Sequence, residues 1–389
     1  MEKKFYWLYV TVFINIIGVG MIFPILPLFA KAFDASSFQV GLLTAVLALV
    51  QFFTAPFIGK LSDKYGRKPI LMSSIAINTI AFLVTGFSPN LAVIFIGMAL
   101  QGLGSAGVLP VAIAYIADVT KGHERSTYIS RITGTFALGF MIGPIVGGVL
   151  GSSSLSLPYF VASAVGLVNL MVIYFFLQET LPSKDQNIAL REGLINIKPI
   201  FKALRGEFGI FFYLMFAWAF YIAHLGLTIP FYVQDIFSFR AFETGLLFSI
   251  TGTTAAITQW VILPRIEKKI GDLRTIFLGI FVLFVFQILA PFATTAVVFV
   301  IILMFSVWGS STMRPSINAY LSKKTTQGQG ATMGLAFSFE SLGRVAGPIV
   351  LGGLIATTNL VLPFYVVALV LGIGILLYTT VERKRQRKS

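Results

Sequence analysis

Apolar runs long enough to cross a membrane follow one another along this chain almost without interruption, and no other feature restricts its fold so strongly. A helix crossing about 30 Å of hydrocarbon needs roughly 20 residues. Twelve such segments can be marked, over 6–30, 37–59, 68–88, 90–118, 127–151, 156–178, 208–234, 241–264, 273–293, 295–322, 328–357 and 360–380. Of the 389 residues 57% are hydrophobic and 11% charged, and Phe occurs 38 times, which is more apolar surface than a soluble domain can hide. The expected fold is an all-α membrane protein of twelve transmembrane helices. The first segment follows MEKK, yet it is too long for a signal peptide, contains Pro24 and Pro27, and lacks a small-residue cleavage pattern. Cysteine is absent, which excludes disulfides, thiolate metal sites and cysteine nucleophiles.

The formal net charge of +14 is distributed as topology rather than as a nucleic-acid footprint. With both termini in the cytoplasm, 25 of the 29 Lys and Arg fall on that side, Lys31 and Arg240 fall outside, and Arg314 and Arg344 fall within the membrane. The tail ERKRQRKS, residues 382–389, is suited to anchoring the last helix against anionic lipid, or to a specific partner.

The halves of the chain repeat at an offset of about 205 residues. GVGMIFP, ending at Pro24, pairs with HLGLTIP, ending at Pro230. Pro110 and Tyr115 pair with Pro315 and Tyr320, GPIVGG (143–148) with GPIVLGG (347–353), and LPYFVASAVGL (157–167) with LPFYVVALVLG (362–372). Two six-helix bundles are expected, at 1–178 and at 208–389 with its basic tail, joined by a cytoplasmic linker at 179–207. In transporters built from repeats the substrate site lies near the midplane and access alternates as the halves rock. A channel or a membrane enzyme could use twelve helices, but neither accounts for the repeat together with the loop described next.

Between segments 2 and 3 stands GKLSDKYGRKPIL, residues 59–71, in which Gly59 and Gly66 allow a tight turn while Asp63, Arg67 and Lys68 supply a charged latch. An ordinary basic loop is the alternative. Segment 5 reads GTFALGFMIGPIVGG, with Gly139, Gly143, Gly147 and Gly148 in a ladder and Pro144 bending the helix. A generic small-residue packing face is the alternative there. The first run resembles motif A and the second motif C of the major facilitator superfamily, and GVGMIFPILP, QGLGSAG (101–107) and MRPSINAYLSK (313–323) extend the likeness over the whole chain. The chain is most similar to the twelve-helix drug:proton antiporter branch, among the Gram-positive multidrug (quinolone) exporters. That resemblance implies expulsion of amphipathic, often cationic, compounds in exchange for protons, with Asp63 and Arg67 in a relay with Asp118 at the inner end of helix 4. It also implies an arginine where this chain has Met98, and acidic residues where it has Gly226 and Ser311, so the usual proton-handling set is missing.

Few ionisable residues fall deep in the predicted helices: His224, Arg314, Glu340 and Arg344. A charge there is costly and functional by default, which makes these four the proton-coupling candidates. Glu340 and Arg344, four residues apart, share a helix face, and a purely structural ion pair is the alternative. Trp218, Tyr221 and His224 recur every three residues in segment 7. With Trp308, Ser311 and Asn318 of segment 10, Asn15 of segment 1 and Gln51 of segment 2, they are the candidates for an aromatic substrate cavity, against simple packing.

Neither a Walker loop nor a metal-ligand cluster is present, and there are two histidines, His123 and His224, so an enzyme is not expected. The reading is a secondary active transporter that expels amphipathic drugs by alternating access, coupled to protons. An exporter or flippase of an endogenous amphiphile such as a lipid-linked sugar, with altered or no coupling, is the alternative. A metabolite uniporter or symporter is disfavoured by motif C. The implied partners are a small amphipathic substrate, protons and the lipid bilayer, without nucleic acid, cofactor or metal. A monomer, multi-pass in the plasma or inner membrane, is expected.

Overall fold

The structure, a computed structural model, describes residues 2–120, 122–181, 204, 206, 208–325, 329–357 and 359–386. The helices are α1 (Glu2–Ile22), α2 (Leu26–Lys31), α3 (Ser37–Tyr65), α4 (Arg67–Gly86), α5 (Leu91–Val119), α6 (Gly122–Ser153) and α7 (Leu157–Phe176). They continue with α8 (Gly209–Phe237), α9 (Ala241–Ile257), α10 (Leu263–Leu289), α11 (Ala296–Lys324), α12 (Gln329–Ala356) and α13 (Leu362–Gln386). Among the described residues eleven helical stretches are long and apolar enough to cross a membrane. One of them, Ala241–Phe292, runs 52 residues through a π-helical turn at Thr258–Ile262. It is broken at Gly271, whose φ of 79° and ψ of 166° are not helical, and so supplies two of the twelve expected crossings.

The helix ends follow from local chemistry, and they repeat. Asn90 starts α5 by accepting from Val93 N–H at 3.2 Å, and Thr295, 205 residues on, starts α11 by accepting from Val298 N–H at 3.3 Å. Ser36 and Gln39 form a reciprocal capping box before α3, and Glu243 accepts from Arg240 N–H at the start of α9. Segment 1 differs from expectation. It is interrupted at 23–25, where Pro24 withholds a donor N–H, and resumes as the short α2.

The chain packs into two compact units. The first comprises Met1–Ala35, Val46–Ile195 and Phe239–Gly252, and the second Ser36–Ala45, Asn196–Ser238 and Thr253–Ser389. Within the first, α1 lies on α6 and α7, and α4 on α5 and α7. Within the second, α8 lies on α12 and α13, and α10 on α11 and α13, the same pairing one repeat later.

Glycine decides how closely these helices approach. A Cβ on Gly143 would stand 2.8 Å from both Gly20 Cα and Ile17 O, and one on Gly139 would stand 2.7 Å from Ile16, so α6 and α1 touch backbone to backbone. Gly147 continues that face against Met21, whereas Gly148 turns to Ala241 O and Gly245 within the same unit. In the second unit Gly343 and Gly347 meet Phe216 O and Ala223 of α8, and Gly352 meets Ser37 O and Gly41. The partner of Gly148 is therefore Gly352, 204 residues later and without a gap. Buried Leu351 stands where the first half has Gly147, in place of the one-residue insertion suggested by matching GPIVGG to GPIVLGG.

Candidate functional site

Two clusters of charge stand out, one at a helix turn in the first unit and one at membrane depth in the second. At the first, α3 remains helical through Tyr65, and Gly66 alone reverses the chain, with φ 115° and ψ 156°. Gly59, expected to help the turn, lies inside α3 with open space around it, so the turn is one residue rather than a loop. Arg67 opens α4 and is 7% exposed. Its Nε donates to Asp118 Oδ2 at 2.8 Å, its Nη2 to Asp118 Oδ1 at 3.2 Å, and its Nη1 to Ser62 Oγ at 2.7 Å and to Asp63 Oδ1. The bidentate grip on Asp118 is the geometry that suits a planar guanidinium. Asp63 is half exposed, at 48% of its side chain, while Asp118 is 15% exposed.

Lys68, read as part of this latch, donates instead to the Tyr174 carbonyl at 2.9 Å. Glu179 was not anticipated. Its carboxylate accepts from the backbone N–H groups of Arg67 at 2.9 Å and Lys68 at 3.1 Å, where the exposed N–H groups of a helix start favour negative charge. No residue pattern near Glu179 marks it, because it caps a helix more than a hundred residues earlier in the chain.

The second unit holds a counterpart at the turn made by Gly271. Lys323 Nζ donates to both oxygens of Asp272, at 3.0 and 2.8 Å, and Ser316 Oγ donates to Glu267 Oε1 at 2.6 Å. Residues 272 and 323 are Arg67 and Asp118 displaced by 205. The sequence offset was sufficient to find this pair.

At depth, Glu340 on α12 is 1% exposed. Its Oε2 accepts from Arg314 Nε at 3.0 Å. Its Oε1 accepts from Arg314 Nη2 at 3.3 Å and from Arg344 Nη2 at 2.6 Å. Both arginines expected near Glu340 thus bind it at once. Trp218 Nε1 donates to Ser310 O at 3.2 Å, which fixes the indole so that the Arg314 guanidinium lies 4.8 Å above its ring.

The other candidates disperse. Tyr221 and His224 are fully buried, with no hydrogen-bond partner among the described residues for the Tyr221 hydroxyl or either imidazole nitrogen, and His224 stands edge-on to Phe364 at 4.6 Å. The three-residue spacing explains the separation, since each step drifts by about 60° and His224 ends about 120° round the helix from Trp218. Asn15 is buried and accepts from Asn78 Nδ2 at 3.4 Å. Ser311 is buried on α11, one turn before Arg314, while Gln51, Trp308 and Asn318 are half-buried, and among the described residues none of them takes part in the hydrogen bonds or ion pairs around Glu340. Met98 is buried in α5 at 2% exposure.

Among the described residues eleven helical stretches are long and apolar enough to cross a membrane, and the two units repeat the same helix pairings, which is the build of a polytopic membrane protein. The Major Facilitator Superfamily profile matches residues 8–348 and 262–389, and the chain belongs to that family. Multidrug resistance protein 2 of Bacillus subtilis (strain 168) is 27% identical over 371 residues, covering 94% of this chain and 92% of its own. Tetracycline resistance protein, class C, of Escherichia coli is 28% identical over 359 residues, covering 90% and 88%. Quinolone resistance protein NorA of Staphylococcus aureus (strain COL) is 24% identical over 354 residues, covering 91% and 90%. Among solved structures, the human organic anion transporter MFSD10 (TETRAN) superposes with a TM-score of 0.75 at 20% identity, covering 97% of this chain and 99% of that one. The nucleoside transporter NupG gives 0.77 at 13% identity, with 98% and 99% covered.

Proposed function

We propose that this protein expels amphipathic drug-like compounds from the cell in exchange for protons, by alternating access. The observation that carries the reading is Arg67 clasped by Asp63 and Asp118. Two carboxylates face one buried guanidinium, so the cluster carries one more negative than positive charge, and Asp63 is half exposed to water. A proton on either carboxylate weakens the clasp, so proton transfer and release of the turn become one event. The glycine face of α6 on α1 and the names of the drug-resistance relatives support the same reading.

Glu340 accepts three N–H bonds and is closed to water, so a proton reaches it only after an arginine leaves. Its role in this proposal is counter-ion to Arg314 and Arg344. His224, without a polar partner, is assigned no proton. Both termini are placed in the cytoplasm and the repeat halves at 1–178 and 208–389, supported by the placement of Lys and Arg and by the 205-residue repeat.

The test is ethidium efflux from proteoliposomes under an imposed pH gradient. Gradient-driven efflux that falls in Asp63→Asn is expected. Efflux indifferent to the gradient in the native protein would overturn proton exchange.

A further inference from the structure

The deep cluster has an unbalanced charge. Arg314 and Arg344 bring two positive charges to the single negative charge of Glu340, and among the described residues no other carboxylate lies within ion-pair distance of either arginine. One positive charge is left over, about ten residues, or roughly 15 Å, from the Lys324 end of α11. An uncompensated charge at that depth is expensive in hydrocarbon and is tolerated facing water or a partner.

The donors are unbalanced as well. Two guanidiniums carry ten N–H bonds, and three of them are used on Glu340. Arg344 Nε is buried and has no acceptor among the described residues. The side chains of Arg314 and Arg344 are nevertheless 34% and 38% exposed, whereas Glu340 is sealed behind them at 1%. A molecule approaching this cluster therefore meets cation and N–H donors, not the carboxylate. A cationic compound finds repulsion there. The Arg314 guanidinium stacked on Trp218 adds a flat surface, apolar in part and positive in part.

Resting on the reading of the chain as an exporter of amphiphiles, we propose that Arg314 and Arg344 form a binding site for the anionic group of an aromatic carboxylate, whose ring packs beside Trp218. The substrate carboxylate takes unused N–H donors and neutralises the leftover charge, while Glu340 stays in place as the counter-ion that offsets one of the two guanidiniums. The preferred substrates are thus aromatic acids and zwitterions carrying a carboxylate, rather than simple cations.

The probes are 2-naphthoate, an aromatic carboxylate, and ethidium, an aromatic cation. Binding is measured by equilibrium dialysis against purified protein in nanodiscs, with empty nanodiscs as blank, and transport is measured in proteoliposomes. Arg314→Gln and Arg344→Gln should each weaken naphthoate binding about tenfold or more, the scale of a lost charge-assisted hydrogen bond, while ethidium, relieved of one repelling charge, should bind no more weakly than before. Glu340→Gln, which adds net positive charge, should tighten naphthoate binding. Should a Gln variant not survive purification, Arg344→Lys, which keeps the charge and loses the planar donor edge, should weaken naphthoate by a smaller factor. Naphthoate binding that is indifferent to these changes, or lost in Glu340→Gln with the protein still folded by circular dichroism, overturns the site. Ethidium transported under a pH gradient without naphthoate binding overturns this inference alone, whereas neither probe transported overturns the exporter reading.

Discussion

Arg67 and Asp272 occupy the same position in the two halves of the sequence, each one residue after a glycine of positive φ, and carry opposite charges. Their partners, Asp118 and Lys323, are inverted as well, so each turn keeps an ion pair while its sign is reversed. Attraction between two charges depends on the product of their signs, and a duplicated turn can exchange the charges without losing the contact. The environments differ. Arg67 is buried at 8% of its side chain, whereas Lys323 is 65% exposed.

Removing Arg67 should therefore cost more than removing Lys323. Arg67→Gln leaves Asp118 half-sealed without its partner and should destabilise the fold by about 2 kcal/mol, while Lys323→Gln should cost about 0.5 kcal/mol. Thermal unfolding in detergent measures both. The charge-swapped pair Asp272→Lys with Lys323→Asp should recover stability relative to either single change. Because the chain has no native cysteine, introduced cysteines can report whether Asp63→Asn alters accessibility at this turn.

The two turn glycines make separate demands. Alanine at either must adopt an extended backbone of positive φ that is almost confined to glycine, a strain of about 1–3 kcal/mol. At Gly271 nothing stands within 4 Å of the new methyl, while at Gly66 it collides with the Glu179 carboxylate that caps α4. Gly66→Ala should consequently lower the unfolding temperature more than Gly271→Ala.

Gly59→Ala is expected to be neutral or to stabilise by up to about 1 kcal/mol, since a helical glycine with free space gains by acquiring a methyl. Gly143→Ala is expected to do the reverse, forcing α6 off the backbone of α1 at Gly20. Efflux rates and unfolding temperatures of the two variants, measured side by side, check the contrast.

His224 offers a separate test. Its imidazole is fully buried with both nitrogens unpaired, a cost of about 1–3 kcal/mol for the polar group. His224→Leu should unfold at a higher temperature and transport at the native rate. Loss of gradient-driven transport in that variant would restore His224 to the coupling machinery.

Periodicity and composition made most of the fold legible. Membrane crossings are read from the length of apolar runs, and the 205-residue offset foretells both the helix caps at Asn90 and Thr295 and the paired turns. Breaks inside apolar runs were harder to see. The interruption at 23–25 and the helix that runs on to Gly271 depend on one residue's backbone angles, to which hydropathy is insensitive. At the charged clusters, residue type and helix face brought Glu340, Arg314 and Arg344 together, and the motif joined Asp63, Arg67 and Asp118. Spacing alone misled for Tyr221 and His224, because a step of three on a helix of 3.6 residues per turn walks off the face it started on.

The ratio of two guanidiniums to one carboxylate around Glu340 also has an electrical meaning. An anion seated there makes the cluster neutral, whereas the empty cluster keeps a positive charge. The voltage across an energised membrane then acts on the vacant protein and not on the loaded one, with up to about 2.3 kcal/mol per 100 mV for a charge carried through the whole field. In the exchange proposed above, with the cell interior negative, voltage would favour return of the substrate-free, proton-carrying protein toward the side on which the next substrate binds.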